Sequence, residues 1–144
     1  MKETYYLNKD TLPVMPVPHD NIISSITVDD EFMTFILETD PEDKDDSIQY
    51  FKPGVKGLVI RYHLCGRLFD IYQMKYASRH LFRKIPPRFI MLEDSSPENL
   101  AKGKYKLEYL DHYVNIESII FRLFSGTEIW LEANADYVEY EWVF

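Results

Sequence analysis

His63 and Cys65 stand two residues apart, a spacing that puts both side chains on one face of a strand. An imidazole and a thiolate are natural ligands of tetrahedral zinc, and His80 and His112 are the residues that could complete such a set. Zinc ligands ordinarily come as two tight local pairs, and only one is present here. A polar strand face with a thiol beside a turn is therefore the expected reading, and no metal is predicted. The same scatter counts against Cys65 as a nucleophile with His80 or His112 as its base, since nothing in the spacing brings them together. His19-Asp20 is an adjacent acid–base pair, but neighbours on an extended chain point apart, and Asp20-Asn21 before a strand is ordinary turn chemistry. The five glycines, at 54, 57, 66, 103 and 126, form neither a phosphate-cradling loop nor a nucleophile elbow. With 24 acidic residues, carboxylates for general acid–base work are too many for any one to be singled out. No catalytic residue and no cofactor is predicted.

Charge is the property that is organised along the chain. Residues 52–106 hold 12 of the 16 Lys/Arg and four acids, while residues 1–51 carry 3 basic and 12 acidic side chains and residues 107–144 carry 1 and 8. Two acidic flanks thus enclose a basic middle. Within it Lys75, Arg79, Arg83, Lys84 and Arg88, interleaved with Tyr76, Phe82 and Phe89, have the composition of a surface for single-stranded nucleic acid, cations for phosphates and rings for bases. The overall charge of −8 and pI of about 4.9 oppose this, and the expectation is that basic strands lie beside acidic ones and neutralise them through cross-strand pairs, so that nucleic-acid binding is weak. The converse is an acidic face: Glu128, Glu132, Glu139 and Glu141, with Asp111, Glu117 and Asp136 nearby, are expected to present negative charge to a basic protein partner.

The elements that must hold these residues read as strands. Apolar residues make up 46% of the chain and aromatics 15%, with only 5 glycines, a balance suited to sheets packed through Tyr and Phe. One domain over residues 1–144 is expected, opened by an extended proline-containing arm over residues 1–21. Ile22–Val28 and Glu31–Glu38 read as a hairpin about Asp29-Asp30. Residues 39–47 form a polar loop whose calcium reading fails on spacing, because Lys44 and Asp45 fall where a ligand and a glycine are required. Ile48–Phe51 reads as a short strand, and Leu58–Leu64 with Leu68–Tyr76 as a second hairpin hinged at Cys65-Gly66-Arg67. Ala77–Lys84 is predicted as one or two helical turns ended by Pro86-Pro87, Arg88–Leu92 as a strand, and Ser95–Lys102 as a short helix with a Ser–Glu capping pattern. Tyr105–Tyr109 alternates with period two, and Ile119–Phe124, Glu128–Ala133 and Tyr137–Phe144 follow as a meander. The predicted fold is mainly β: an antiparallel sandwich or partly open barrel of successive hairpins, with one or two short helices between residues 77 and 103.

The run Leu12-Pro-Val-Met-Pro-Val-Pro-His19-Asp20 and the ending Asp136-Tyr-Val-Glu-Tyr-Glu-Trp142 resemble the start and end of a family of small uncharacterised bacterial proteins of about this length. In its broader look, small and acidic with many aromatics and strands, the chain is similar to immunity proteins of bacterial toxin systems. That resemblance implies a non-enzymatic cytoplasmic binding module that inhibits a basic toxin or nuclease. The alternatives are a ligand-binding barrel or small enzyme with an aromatic pocket at His63 or His112, and RNA contact through the basic middle. No apolar run reaches the ~18 residues of a membrane span, a single cysteine excludes an internal disulfide, and residues 1–10 carry no apolar core of a signal peptide. A cytoplasmic protein is expected.

Overall fold

The computed structural model describes all 144 residues. Strands account for 51% of them and helices for 6%, so the fold is mainly β as expected. The elements are β1 (Lys2–Tyr6), β2 (Ile22–Val28), β3 (Phe32–Leu37), α1 (Ser47–Phe51), β4 (Gly57–Leu64), β5 (Asp70–Lys75), β6 (Ser78–His80), β7 (Arg83–Ile85), β8 (Arg88–Met91), α2 (Pro97–Leu100), β9 (Leu107–Asn115), β10 (Ser118–Phe124), β11 (Glu128–Ala133) and β12 (Ala135–Val143). Ten strands form one antiparallel sheet in the order β1-β12-β4-β3-β2-β9-β10-β11-β5-β8, and β6 pairs with β7 apart from it. The sheet does not close into a barrel.

Alternation decides which side of each strand is buried. On β4, Leu58, Ile60, Tyr62 and Leu64 point inward, and on β12 Val138, Tyr140 and Trp142 do the same; Phe144, at the end of that stripe, is exposed. Asn134 alone separates β11 from β12, although five strands lie between them in the sheet. A one-residue link across that span requires the sheet to curl over its own inner face. Rings from facing strands then meet in the interior: Phe121 of β10 lies 5.1 Å from Phe35 of β3 and 4.8 Å from Tyr62 of β4, centroid to centroid. No cavity opens among these rings, and the depressions of the molecule are at its surface.

The hairpin over residues 22–38 forms in the expected register, with Met33, Phe35 and Leu37 inward. The extended N-terminal arm begins as a strand, in which Lys2–Tyr6 pairs with the free edge of β12; beyond it Leu7 and Met15 are buried, and the Tyr140 hydroxyl donates to the Pro16 carbonyl. Five expectations differ. Residues 48–51 are helical. Asp46 caps them by accepting from the Ile48 and Gln49 N–H groups, and an N-cap acceptor outweighs the weak strand propensity of so short a run. The runs 58–64 and 68–76 are not a hairpin. β4 has β3 and β12 on its two edges, so β5 crosses to pair with β11 and β8. The meander likewise breaks after β11. Residues 77–84 are extended, and the helix expected over 95–102 shrinks to Pro97–Leu100, with Ser96 at its start and no side-chain cap bond.

Candidate functional site

The basic segment is a β-ribbon. In β5–β8 Met74 faces Phe89 and Lys75 faces Arg88, and in β6–β7 Ser78 faces Ile85, Arg79 faces Lys84 and His80 faces Arg83. The register runs unchanged from one ladder into the other. The two are one long hairpin, interrupted where Tyr76-Ala77 lies opposite Pro86-Pro87, which have no N–H to donate. Its proximal part is the edge of the large sheet. Its distal part, residues 75–84, is exposed throughout.

Two features of this ribbon run against stability. A two-stranded hairpin without a packed face is marginal in water, and like charges directly opposite one another destabilise it further. Here two cross-strand pairs set cation against cation, Lys75 against Arg88 and Arg79 against Lys84, and a third sets Arg83 against the imidazole of His80. None of these side chains is in an ion pair with an acid; the ion-paired cations are Lys2, Lys52, Arg61, Arg67 and Arg122, together with His19 and His63. At the tip Leu81 has φ of 55°, at the first of two loop positions, where hairpin turns ordinarily place glycine. Leu81 is 80% exposed and Phe82 102%.

The acidic residues singled out from sequence are dispersed and mostly neutralised. Glu139 meets Lys2 at 3.5 Å, Glu128 meets Arg122 at 3.3 Å, and Glu141 is ion-paired with Arg61, whose hydrogen bond holds its carboxyl below the usual range. Glu132 stands across from Asp70. Glu128 and Glu132 on β11 and Glu139 and Glu141 on β12 belong to strands with five others between them. Cross-strand neutralisation thus operates on β12 and β4 and stops short of the ribbon. The richest acidic surface is instead the loop over residues 38–46, where Asp40, Asp43 and Asp46 each accept backbone N–H bonds within the loop.

His63, Cys65, His80 and His112 do not converge. His80 is on the ribbon and His112 is in β9, where its Nδ1 meets the Tyr109 hydroxyl at 2.5 Å. Burial lowers the pKa of His112. His63 Nδ1 lies 2.7 Å from Asp136 Oδ1, with its ring stacked on Tyr137 at 4.5 Å. This histidine–aspartate pair joins residues 73 apart in the chain, and no local pattern announces it. The Cys65 thiol is raised by burial and by the carboxylates of Asp136 and Glu117, the opposite of an activated nucleophile. His19 and Asp20 do touch, at 3.3 Å, because Asp20 adopts φ of 65° and turns its side chain back.

Comparison with protein-family models, with curated protein sequences and with solved structures finds no match to this chain. Its function has to be argued from its own residues.

Proposed function

We propose that this protein is a non-enzymatic binding module whose contact element is the β5–β8 ribbon and whose partner is anionic. One observation carries the reading: two cross-strand pairs of cations, Lys75 with Arg88 and Arg79 with Lys84, ion-paired with no acid and held on an exposed arm. An anion lying across such pairs would remove their mutual repulsion, which gives bound and free states a difference in free energy to exploit. The acidic body does not forbid this. From Lys75 to Phe82 the arm runs about 23 Å at ~3.3 Å per residue, nearly three times the ~8 Å screening length of physiological salt. The test is retention on a heparin matrix at 0.1 M salt. A chain of net charge −8 is retained only through a local basic surface, and Arg79→Glu with Lys84→Glu should abolish retention without changing the melting temperature. Passage of the parent protein through the column unretained would end the reading.

The loop over residues 38–46 favours a second reading, the immunity-type inhibitor of a basic toxin or nuclease. It holds six acids to one lysine, and its own hydrogen bonds keep it in one shape, as a rigid complementary surface needs. Capture of a basic protein that persists in the arm-reversed variant and is lost on Asp43→Lys with Asp45→Lys would assign the function to this loop. A cytoplasmic setting suits both readings, since it leaves Cys65 a free thiol.

A further inference from the structure

The tip of the arm is apolar, which a purely electrostatic grip does not require. Leu81 and Phe82 form the two-residue loop between His80 and Arg83, which face one another across the ribbon, and they are 80% and 102% exposed. The φ of 55° at Leu81 costs a leucine more than it would a glycine or an asparagine. Burial within the chain does not offset that cost, since neither residue packs against the core.

Cations stand behind the tip on both faces of the ribbon. Arg79 is opposite Lys84 and His80 opposite Arg83, so by alternation Arg79 and Lys84 flank the loop on one face and Arg83 with His80 on the other. Arg79, Arg83 and Lys84 are one or two residues back from Leu81 and Phe82, about 3–7 Å at ~3.3 Å per residue. Lys75 and Arg88 lie about 20 Å back on the same count. An approach end-on therefore meets an apolar point first and a collar of three cations next, whichever face each cation occupies.

Resting on the reading of the arm as an anion-binding element, we infer that the anion is the surface of an anionic lipid bilayer, met end-on by the tip. Leu81 and Phe82 enter the boundary between headgroups and acyl chains, and Arg79, Arg83 and Lys84 reach the lipid phosphates above them. A polymeric anion in water lies along one face of the ribbon and leaves the tip exposed. A bilayer sets phosphates over hydrocarbon, the order in which the arm carries its cations and its apolar side chains, and the usual ~5–10 Å depth of a surface-bound apolar group matches the setback of the cations. The arm also holds the acidic body about 20 Å from the surface, well beyond the ~8 Å screening length. Such contact is peripheral, and no helix of the chain is long and apolar enough to cross a membrane.

Co-sedimentation with vesicles of phosphatidylcholine, with and without one third phosphatidylglycerol, tests this beside heparin retention. Three cations near the surface, each contributing about fivefold, predict binding about a hundredfold stronger to the anionic vesicles, falling as salt rises. Leu81→Asn suits the positive φ and Phe82→Ser alters a fully exposed residue, so neither acts by unfolding the arm. Each should weaken vesicle binding by about tenfold and leave heparin retention unchanged. Lys75→Gln with Arg88→Gln should do the reverse, weakening heparin retention and sparing the vesicles. Heparin retention without binding to anionic vesicles would overturn the lipid inference, and so would vesicle binding that ignores both tip variants or depends equally on Lys75 and Arg88. Those results would mark the partner as a polyanion lying along the ribbon and leave the anionic-partner reading standing. Binding to neither heparin nor vesicles would overturn both.

Discussion

Replacing Asp46 by alanine should destabilise the fold by more than any other exposed-loop substitution, and the hydrogen bonds supply the magnitude. Asp46 Oδ1 accepts from the Ile48 and Gln49 N–H groups at 2.9 and 3.2 Å, capping α1. Its Oδ2 accepts from the Asp40 N–H at 2.9 Å and from the Asn21 amide at 3.0 Å. Asn21 is only 6% exposed, so its amide has little water to turn to. Loss of the cap costs about 1 kcal/mol, and stripping partners from Asn21 and the Asp40 N–H costs about 1–2 kcal/mol more. A total of about 2–3 kcal/mol corresponds to a fall in Tm of about 4–12 °C for a chain of this size. Asp46→Asn should fall between, because asparagine caps as well as aspartate but sets its own NH₂ against the two donors on Oδ2. Acid titration adds a second readout. Burial pushes the Asp46 carboxyl up, yet the bonds from Asp40, Asn21 and Gln49 outweigh it and hold its pKa below the ordinary 3.8. A carboxylate with a depressed folded pKa binds fewer protons folded than unfolded. Its stabilisation is present above pH 3.8 and is lost as pH falls through the folded value, and Asp46→Ala should flatten that limb. Thermal and urea denaturation of the three proteins at pH 7 and pH 3 decide the matter. A Tm for Asp46→Ala within 1 °C of the parent would refute the reasoning.

Trp142→Ala, deleting a ring 1% exposed, should cost about 3–5 kcal/mol in urea denaturation. His112 titrates in the same sense as Asp46 but in a different window. Burial depresses its pKa below 6.5, so the unfolded chain takes up its proton first and stability should decline as pH falls from 6.5; His112→Gln should remove that decline if it keeps the Tyr109 contact, and an unchanged pH profile would exclude the assignment. Glu139→Lys with Glu141→Lys should not be silent, since it sets lysines against Lys2 and Arg61. We expect a loss of about 1–2 kcal/mol together with faster amide exchange in β1, and unaltered exchange there would show that these surface pairs contribute nothing.

Composition and alternation by themselves determined that the chain is β, which faces of β3, β4 and β12 are buried, and that residues 22–38 form a hairpin, because a period of two under a half-buried sheet is a local property. The basic composition of residues 75–88 was equally plain. Pairing was not, because an apolar strand face is satisfied by any neighbour of matching alternation. Only the tertiary structure decided that β4 joins β3 and β12 in place of β5, and that β11 turns at Asn134 out of its meander. Residues 77–84 suit a helix in sequence, but their extended state is set by a register running on from β5 and β8, across two prolines that also suit the end of a helix. The charge question turned on the same thing. Sequence counts cations and acids, but whether they cancel depends on which side chains become neighbours; β12 brings its glutamates to Arg61 and Lys2, and no acid is ion-paired with Lys75, Arg79, Arg83, Lys84 or Arg88 of the ribbon.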